Sequence, residues 1–432
     1  MKNKFIKSTL ILIIGGMFTK ILGMIIKIVM TRLLGTEGIG IYMLIIPTFT
    51  LFIALAQFGL PIAISKLVSE DKRNNKNLVF SIIPISLIIN LIIMLFLLFS
   101  SNYIANNLLH EPRCYDALIC IGLVLPFISI SSILRGYFFG KQKMIPHVIS
   151  NITEDFVRLI ILIIGIPIFL TRGINFAIAF VILSNVISEL TSILVLFFFL
   201  PKNFKITKRD LKPNKTNIKE TLSISVPTTG SRLIGSIGYF FEPIILTSVL
   251  LRVGYSNNYI VNEYGILSGY VMPLLTLPSF FTLAISQALI PIVSNSFSNN
   301  KYSYTKNKIK QGIFFSLIIG IPVTIFFITN PSLPLKIIYN TKEGINYIKI
   351  MAPIFLLHYI QSPISSSLQA MGFAKISMKG TFYGMLFRTL ILFIASSLKI
   401  GMWGLVFATS INIIFVTFYD GYNVYKILKK RI

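Results

Sequence analysis

The chain has 432 residues, 54% of them apolar and only 12% charged, and its 40 Lys+Arg against 14 Asp+Glu give a formal charge of +26. A soluble domain carries about 25% charged residues, so this chain has too little polar side chain to cover a water-facing surface. A water-soluble enzyme is excluded, and so is a disordered chain, which needs low hydrophobicity.

What remains is an all-α polytopic membrane protein, located in the bacterial plasma membrane. A spanning helix takes about 20 apolar residues. In chain order, the apolar runs predict twelve spans, at 8–31, 39–65, 78–101, 115–139, 147–170, 174–200, 220–251, 265–293, 310–329, 347–372, 376–397 and 401–425. The first run follows a basic start, Lys2, Lys4 and Lys7, as a signal peptide would. It continues past Lys20 and Lys27 to Met30 with no small-x-small cleavage site, so it reads as a retained span. Residues 201–219 are basic, polar and punctuated by Pro201 and Pro213. They read as a cytoplasmic linker between an N-lobe, 1–200, and a C-lobe, 220–432, of six spans each.

The loops test this count. With the N-terminus inside, 27 of the Lys and Arg residues fall in cytoplasmic segments, Arg135, Lys141 and Lys143 among them, eight in outer segments and five in spans. Cytoplasmic loops are enriched in these residues, so the asymmetry supports twelve spans with both termini cytoplasmic. Basic loops beside an anionic inner leaflet account for the net charge, with membrane lipids as partners and no nucleic acid. Cys114 and Cys120 are too few for a disulfide framework. His110, His147 and His358 are scattered, and no metal or cofactor is expected.

The halves resemble each other. Lys7-Ser-Thr-Leu10 matches Lys219-Glu-Thr-Leu222, and the same offset of 212 pairs Lys20 with Arg232 and Gly23 with Gly235. Further on, Leu60-Pro61-Ile62 matches Ile290-Pro291-Ile292, and Phe156-Val-Arg158 matches Leu386-Phe-Arg388, both at 230. Six spans per half keep the halves in one orientation, a parallel repeat. Repeats of this kind place a substrate site between halves that rock against each other.

Lys20, Lys27, Arg158, Arg232 and Arg388 lie inside the expected spans, as do Glu189 and Glu242, with Glu154 and Asp155 nearer a cytoplasmic end. A charge at the bilayer centre costs about 2.5–3.5 kcal/mol on insertion scales and normally faces the bundle interior or a water-filled cavity. Lys20, Arg232 and Arg388 are the expected anion-binding residues of a central cavity. Lys27 either joins them or snorkels to the interface. Arg158 either joins them or pairs with Glu154, four residues away on the same helix. Glu189, Glu242 and Glu154 are counter-ions or a proton or Na⁺ site. Span 7 carries Pro227, Gly230 and Gly235, hinge candidates in a segment that a cavity or small-residue packing would each explain. No Walker A, Asp-x-Asp, His-Glu-x-x-His or nucleophile-elbow motif occurs, so neither an ATP site nor a catalytic set is expected.

Arg32-Leu-Leu-Gly-Thr-Glu-Gly-Ile-Gly-Ile-Tyr42, Leu134-Arg-Gly-Tyr-Phe-Phe-Gly-Lys141 and Ser150-Asn-Ile-Thr-Glu-Asp-Phe-Val-Arg158 resemble the stage V sporulation protein B branch of the multidrug/oligosaccharidyl-lipid/polysaccharide exporter superfamily. The resemblance implies two six-helix lobes around a cavity. It also implies export of lipid-linked oligosaccharide precursors for cell wall or spore cortex, with cell-wall synthesis enzymes as partners. Many members of the flippase branch have fourteen spans, and the two additional helices of lipid II flippases help form a groove for the lipid tail; this chain has twelve. The expected function is a flippase for an anionic lipid-linked oligosaccharide. The alternatives are a Na⁺- or H⁺-coupled multidrug antiporter, and a non-transporting scaffold for wall synthesis.

Overall fold

The computed structural model describes residues 2–70, 74–201, 204 and 215–431. Most of the expected linker lies outside them, and helix α7 begins at Lys215 within its last part. Every regular element among the described residues is a helix, as lipid requires of a chain that must satisfy its backbone polar groups internally. In the first part of the chain these are α1 (Lys2–Gln57), α2 (Leu60–Ser69), α3 (Asn75–Tyr103), α4 (Tyr115–Gly140), α5 (Met144–Leu170) and α6 (Ile174–Phe198). There follow α7 (Lys215–Val253), α8 (Asn257–Tyr264), α9 (Met272–Thr276), α10 (Ser279–Ser298) and α11 (Tyr302–Thr329), then the short α12 (Ser332–Pro334), α13 (Ile345–Ala370), α14 (Ala374–Ser396) and α15 (Trp403–Lys429).

Nine stretches of the described residues are long and apolar enough to cross a membrane. The stretch ending at Ser69 counts twice, because Gly35 adopts a left-handed φ of 68° and divides α1 into two arms. Adding α5, of similar length but carrying Glu154, Asp155 and Arg158, and α13, also of similar length, gives the twelve expected spans. Large apolar side chains such as Phe99, Phe198, Ile164 and Phe418 are exposed on these helices, as lipid-facing surfaces demand.

The helices group into two compact units, Met1–Ile244 and Ile245–Ile432, with the boundary inside α7. The first half of α7 packs within the first unit: Asn217 Nδ2 donates to Asn77 Oδ1 at 3.0 Å. A Cβ on Gly59 would come within 2.7 Å of the Ser225 carbonyl oxygen. In this unit α4, α5 and α6 pack together, α1 lies along α4 and α5, and α2 and α3 flank α4. The α2–α4 contact is backbone on backbone: a Cβ on Gly136 would lie 2.8 Å from the Pro61 carbonyl oxygen, and one on Gly140 would lie 2.6 Å from that of Ser65. In the second unit α13 packs on α10, α11 and α15, and α14 packs on α15.

The internal repeat is visible in the backbone of each unit. Helices α4 and α13 both span 26 residues and begin at Tyr115 and Ile345, 230 apart; α5 and α14 begin at Met144 and Ala374, again 230 apart. The helix stops repeat too. Gln142 (φ 55°) and Gly372 (φ 89°) are left-handed and occupy corresponding positions. In one unit Lys143 N–H donates to Phe138 O, and in the other Phe373 N–H donates to Leu368 O, both at 2.9 Å. This is the Schellman arrangement that satisfies the last carbonyls of a helix. His110 (φ 53°) and Asn340 (φ 56°) form a second matched pair, each after a short π-helical segment, Ile104–Leu108 and Leu335–Tyr339.

Candidate functional site

The first unit holds a charged cluster on α4, α5 and α6. On α5, residues 154 and 158 lie one turn apart, so Glu154 and Arg158 share a face. Arg158 Nη2 donates to Glu154 Oε1 at 2.7 Å. The other carboxylate oxygen, Oε2, accepts from Arg135 Nη2 of α4 at 2.6 Å. Arg135 Nη2 also donates to Ser192 Oγ of α6 at 2.9 Å and lies 3.8 Å from Glu189 Oε2. Arg158 reaches Ser188 Oγ through Nε at 3.3 Å and Nη2 at 3.2 Å, and lies 3.8 Å from Asp155 Oδ1. Glu154 and Glu189 are buried. Two arginines are thus neutralised by three carboxylates across three helices, as buried charges require.

Of the two readings of Arg158 open in the sequence, pairing with Glu154 is the one this geometry contains. Glu189 lies beside the same arginines. Arg135 is a correction: counted with a cytoplasmic loop, it is within α4 and partly buried, and it ties α4 to both α5 and α6. The signal was available, since the expected span 115–139 includes it.

The other cations are placed differently. Lys20 is exposed on α1, and Lys27, one face along, is half-buried. Arg232 is exposed on α7, and its Nη1 donates to Gln57 Oε1 at 3.0 Å. Neither Lys20 nor Arg232 forms an ion pair among the described residues. Glu242 is buried farther along α7. The helix runs through Pro227, Gly230 and Gly235 without interruption, and all three are exposed in this unit. In the second unit, Arg388 is half-buried on α14, and its Nη2 donates to Thr409 Oγ1 of α15 at 3.4 Å.

The sequence reading also passed over Asp420, inside the last expected span. It is fully buried on α15 and accepts from Ser365 Oγ and Ser377 Oγ. Just before α4, Arg113 donates to Glu111 through Nε at 2.7 Å and Nη2 at 2.9 Å, and to Glu37 through Nη1. No group of three or more His, Cys, Asp or Glu arranged to hold a metal ion occurs among the described residues.

Residues 5–297 match the family model described as polysaccharide biosynthesis protein, and residues 267–394 match the MatE model. The chain is 38% identical to stage V sporulation protein B of Bacillus subtilis (strain 168), over 99% of this chain and 85% of that protein. It is 23% identical to the lipid II flippase MurJ of the same organism, over 100% of this chain and 86% of that one. Among solved structures, a multidrug resistance MATE family transporter in its inward-facing conformation matches with a TM-score of 0.76, at 16% identity over 96% of this chain and 95% of that one.

Proposed function

The chain belongs to the polysaccharide biosynthesis protein family, within the multidrug/oligosaccharidyl-lipid/polysaccharide exporter superfamily of multi-pass plasma-membrane transporters, and from that premise we propose that it moves an anionic lipid-linked oligosaccharide of the peptidoglycan or spore-cortex precursor type from the inner to the outer leaflet by alternating access. The excess of Lys and Arg in alternate loops supports cytoplasmic termini.

One observation carries the choice of an anionic cargo. Arg135 and Arg158 are neutralised within their own unit, whereas Lys20 and Arg232 are exposed and form no ion pair among the described residues. A cation at membrane depth that is not matched by a carboxylate calls for water or an anion. A pyrophosphate headgroup supplies one. Lys20, Arg232 and Arg388 are the proposed headgroup ligands; Arg158, held by Glu154, fixes its helices, and Lys27 lies on the same face as Lys20. Energy is available without ATP: each elementary charge crossing 100 mV is worth about 2.3 kcal/mol. With a negative interior, outward movement of an anion is downhill.

Reconstitution of the purified protein in liposomes with a fluorescent polyprenyl-pyrophosphate sugar tests this. Quenching by a membrane-impermeant reductant reads the outer leaflet. Replacing Lys20, Arg232 and Arg388 together by Gln is expected to abolish flipping; an unchanged rate removes the assignment.

A second reading, a cation-coupled multidrug antiporter, is favoured by the fold likeness to a MATE family transporter. The carboxylates Glu154 and Glu189 are engaged by Arg135 and Arg158, which leaves them poorly suited to cationic drugs. Gradient-driven efflux of a cationic dye, lost in Glu189→Gln, would reverse the ranking.

A further inference from the structure

The second unit contains a carboxyl group that the transport reading leaves unused. Asp420 is fully buried. Its Oδ2 accepts from Ser365 Oγ of α13 and, at 3.4 Å, from Ser377 Oγ of α14, while Oδ1 is buried with no donor among the described residues. Gly380 permits this packing, since a Cβ there would sit 2.9 Å from Oδ1.

The ionisable groups on the helices against α15 are directed elsewhere. On α14, Lys375, Lys379 and Tyr383 are exposed, and Arg388 donates to Thr409. On α13, His358 packs on Phe355, the Tyr359 hydroxyl donates to the Leu275 carbonyl, that of Tyr347 donates to Glu263, and Lys349 is exposed. On α11, Lys308 donates to Gln311, Lys310 is exposed, and Lys306 is half-buried in the first turns. On α15 itself, Tyr419 stacks on Phe415, and Lys426 and Lys429 lie over Tyr422 and Tyr425. No ion pair to Asp420 forms among the described residues.

The repeat shows what has been exchanged. Glu189 of the first unit and Asp420 of the second occupy near-corresponding positions on α6 and α15, 231 apart. Arg135, which lies beside Glu189, corresponds at 230 to Ser365, which lies beside Asp420. A guanidinium in one unit is replaced by a hydroxyl in the other. An ionised carboxylate in that setting has no cation, and one of its oxygens has no donor, which is the costly arrangement for a buried charge.

We propose that Asp420 is a proton-binding site of the second unit. In the packed state it is a neutral acid: the Ser365 hydroxyl, turned about its C–O bond, accepts from Oδ2–H instead of donating to it, and Oδ1 is left as a carbonyl-type oxygen. When rearrangement of α13, α14 and α15 admits water, the O–H bond breaks, the proton passes to a water molecule as hydronium, and the carboxylate keeps the electron pair. A metal cation is the poorer occupant, because hard cations take about six oxygens and the two hydroxyls here both gather at Oδ2.

Infrared difference spectroscopy of the full-length protein in liposomes at neutral pH tests the assignment without any transport substrate. The wild type is expected to show the carbonyl stretch of a protonated carboxylic acid, shifted in D₂O and missing in Asp420→Asn. Ser365→Ala keeps the acid but removes its hydrogen-bond partner; its band is expected to persist at a shifted frequency, which covers the case of an Asn variant that does not fold. A spectrum identical in wild type and Asp420→Asn, a Ser365→Ala band at the wild-type frequency, or a band erased by added Na⁺ overturns the proposal.

Discussion

Glu154 is the most informative residue to remove. Its two oxygens accept charge-assisted bonds from Arg158 and Arg135 at 2.7 and 2.6 Å, and its side chain is only 10% exposed. Glu154→Ala strands two partly buried guanidinium groups, and breaking a buried pair in this way costs about 3–5 kcal/mol. Arg135 keeps Glu189 at 3.8 Å and Ser192, and Arg158 keeps Asp155 at 3.8 Å and Ser188, which places the expected loss near the lower limit, about 3 kcal/mol. At about 2–4 °C per kcal/mol for a unit of this size, the first unit should melt roughly 6–12 °C lower. The assay is thermal unfolding of the full-length protein in detergent, followed by far-ultraviolet circular dichroism. Glu154→Leu combined with Arg158→Leu should recover part of the loss, because replacing both partners of a buried pair with apolar groups is often near neutral. A Glu154→Ala protein melting within about 2 °C of wild type, a loss under about 1 kcal/mol, would show that the cluster does not hold α4, α5 and α6 together.

Gly140→Ala should destabilise by about 1–3 kcal/mol through overpacking, since its Cβ would meet the Ser65 carbonyl oxygen and Val68; Gly230→Ala, with open space around it, should be neutral or stabilise by up to about 1 kcal/mol, and thermal melts compare them. If Gly230 and Gly235 act as hinges, their double Ala variant should flip labelled lipid-linked sugar more slowly while melting no lower than wild type. Arg232→Gln alone should weaken headgroup binding about 10–100-fold, the loss of one charge-assisted bond worth about 1.5–3 kcal/mol, measured by titrating a short-chain pyrophosphate analogue. Cys114 is fully buried, so maleimide should leave it unlabelled at neutral pH until the protein is denatured.

The twelve spans and the repeat were legible because lipid imposes long apolar runs and two copies of one helical plan leave matching Gly, Pro and Arg positions. The charged cluster was legible only in part. The spacing of Glu154 and Arg158 on one helix shows a pair that i,i+4 geometry allows, but a partner on another helix leaves no spacing to read. Arg135 and Glu189 are 54 residues apart in sequence yet 3.8 Å apart in space. Asp420 itself was readable as an acid inside the last expected span; its partners, single serines on two other helices, were not. Arg232 and Gln57 met through a fold-level contact that no pattern encodes.

The close approach of α4 to α2 has an evolutionary corollary. Because the carbonyls of Pro61 and Ser65 form the seam, the residue types at 61 and 65 can drift with little effect on the fit. The freedom is one-sided: on α4 the alphabet at 136 and 140 shrinks to a single letter. Variation among descendants of this chain should therefore be lopsided across that joint, tolerant at 61 and 65 and frozen at 136 and 140.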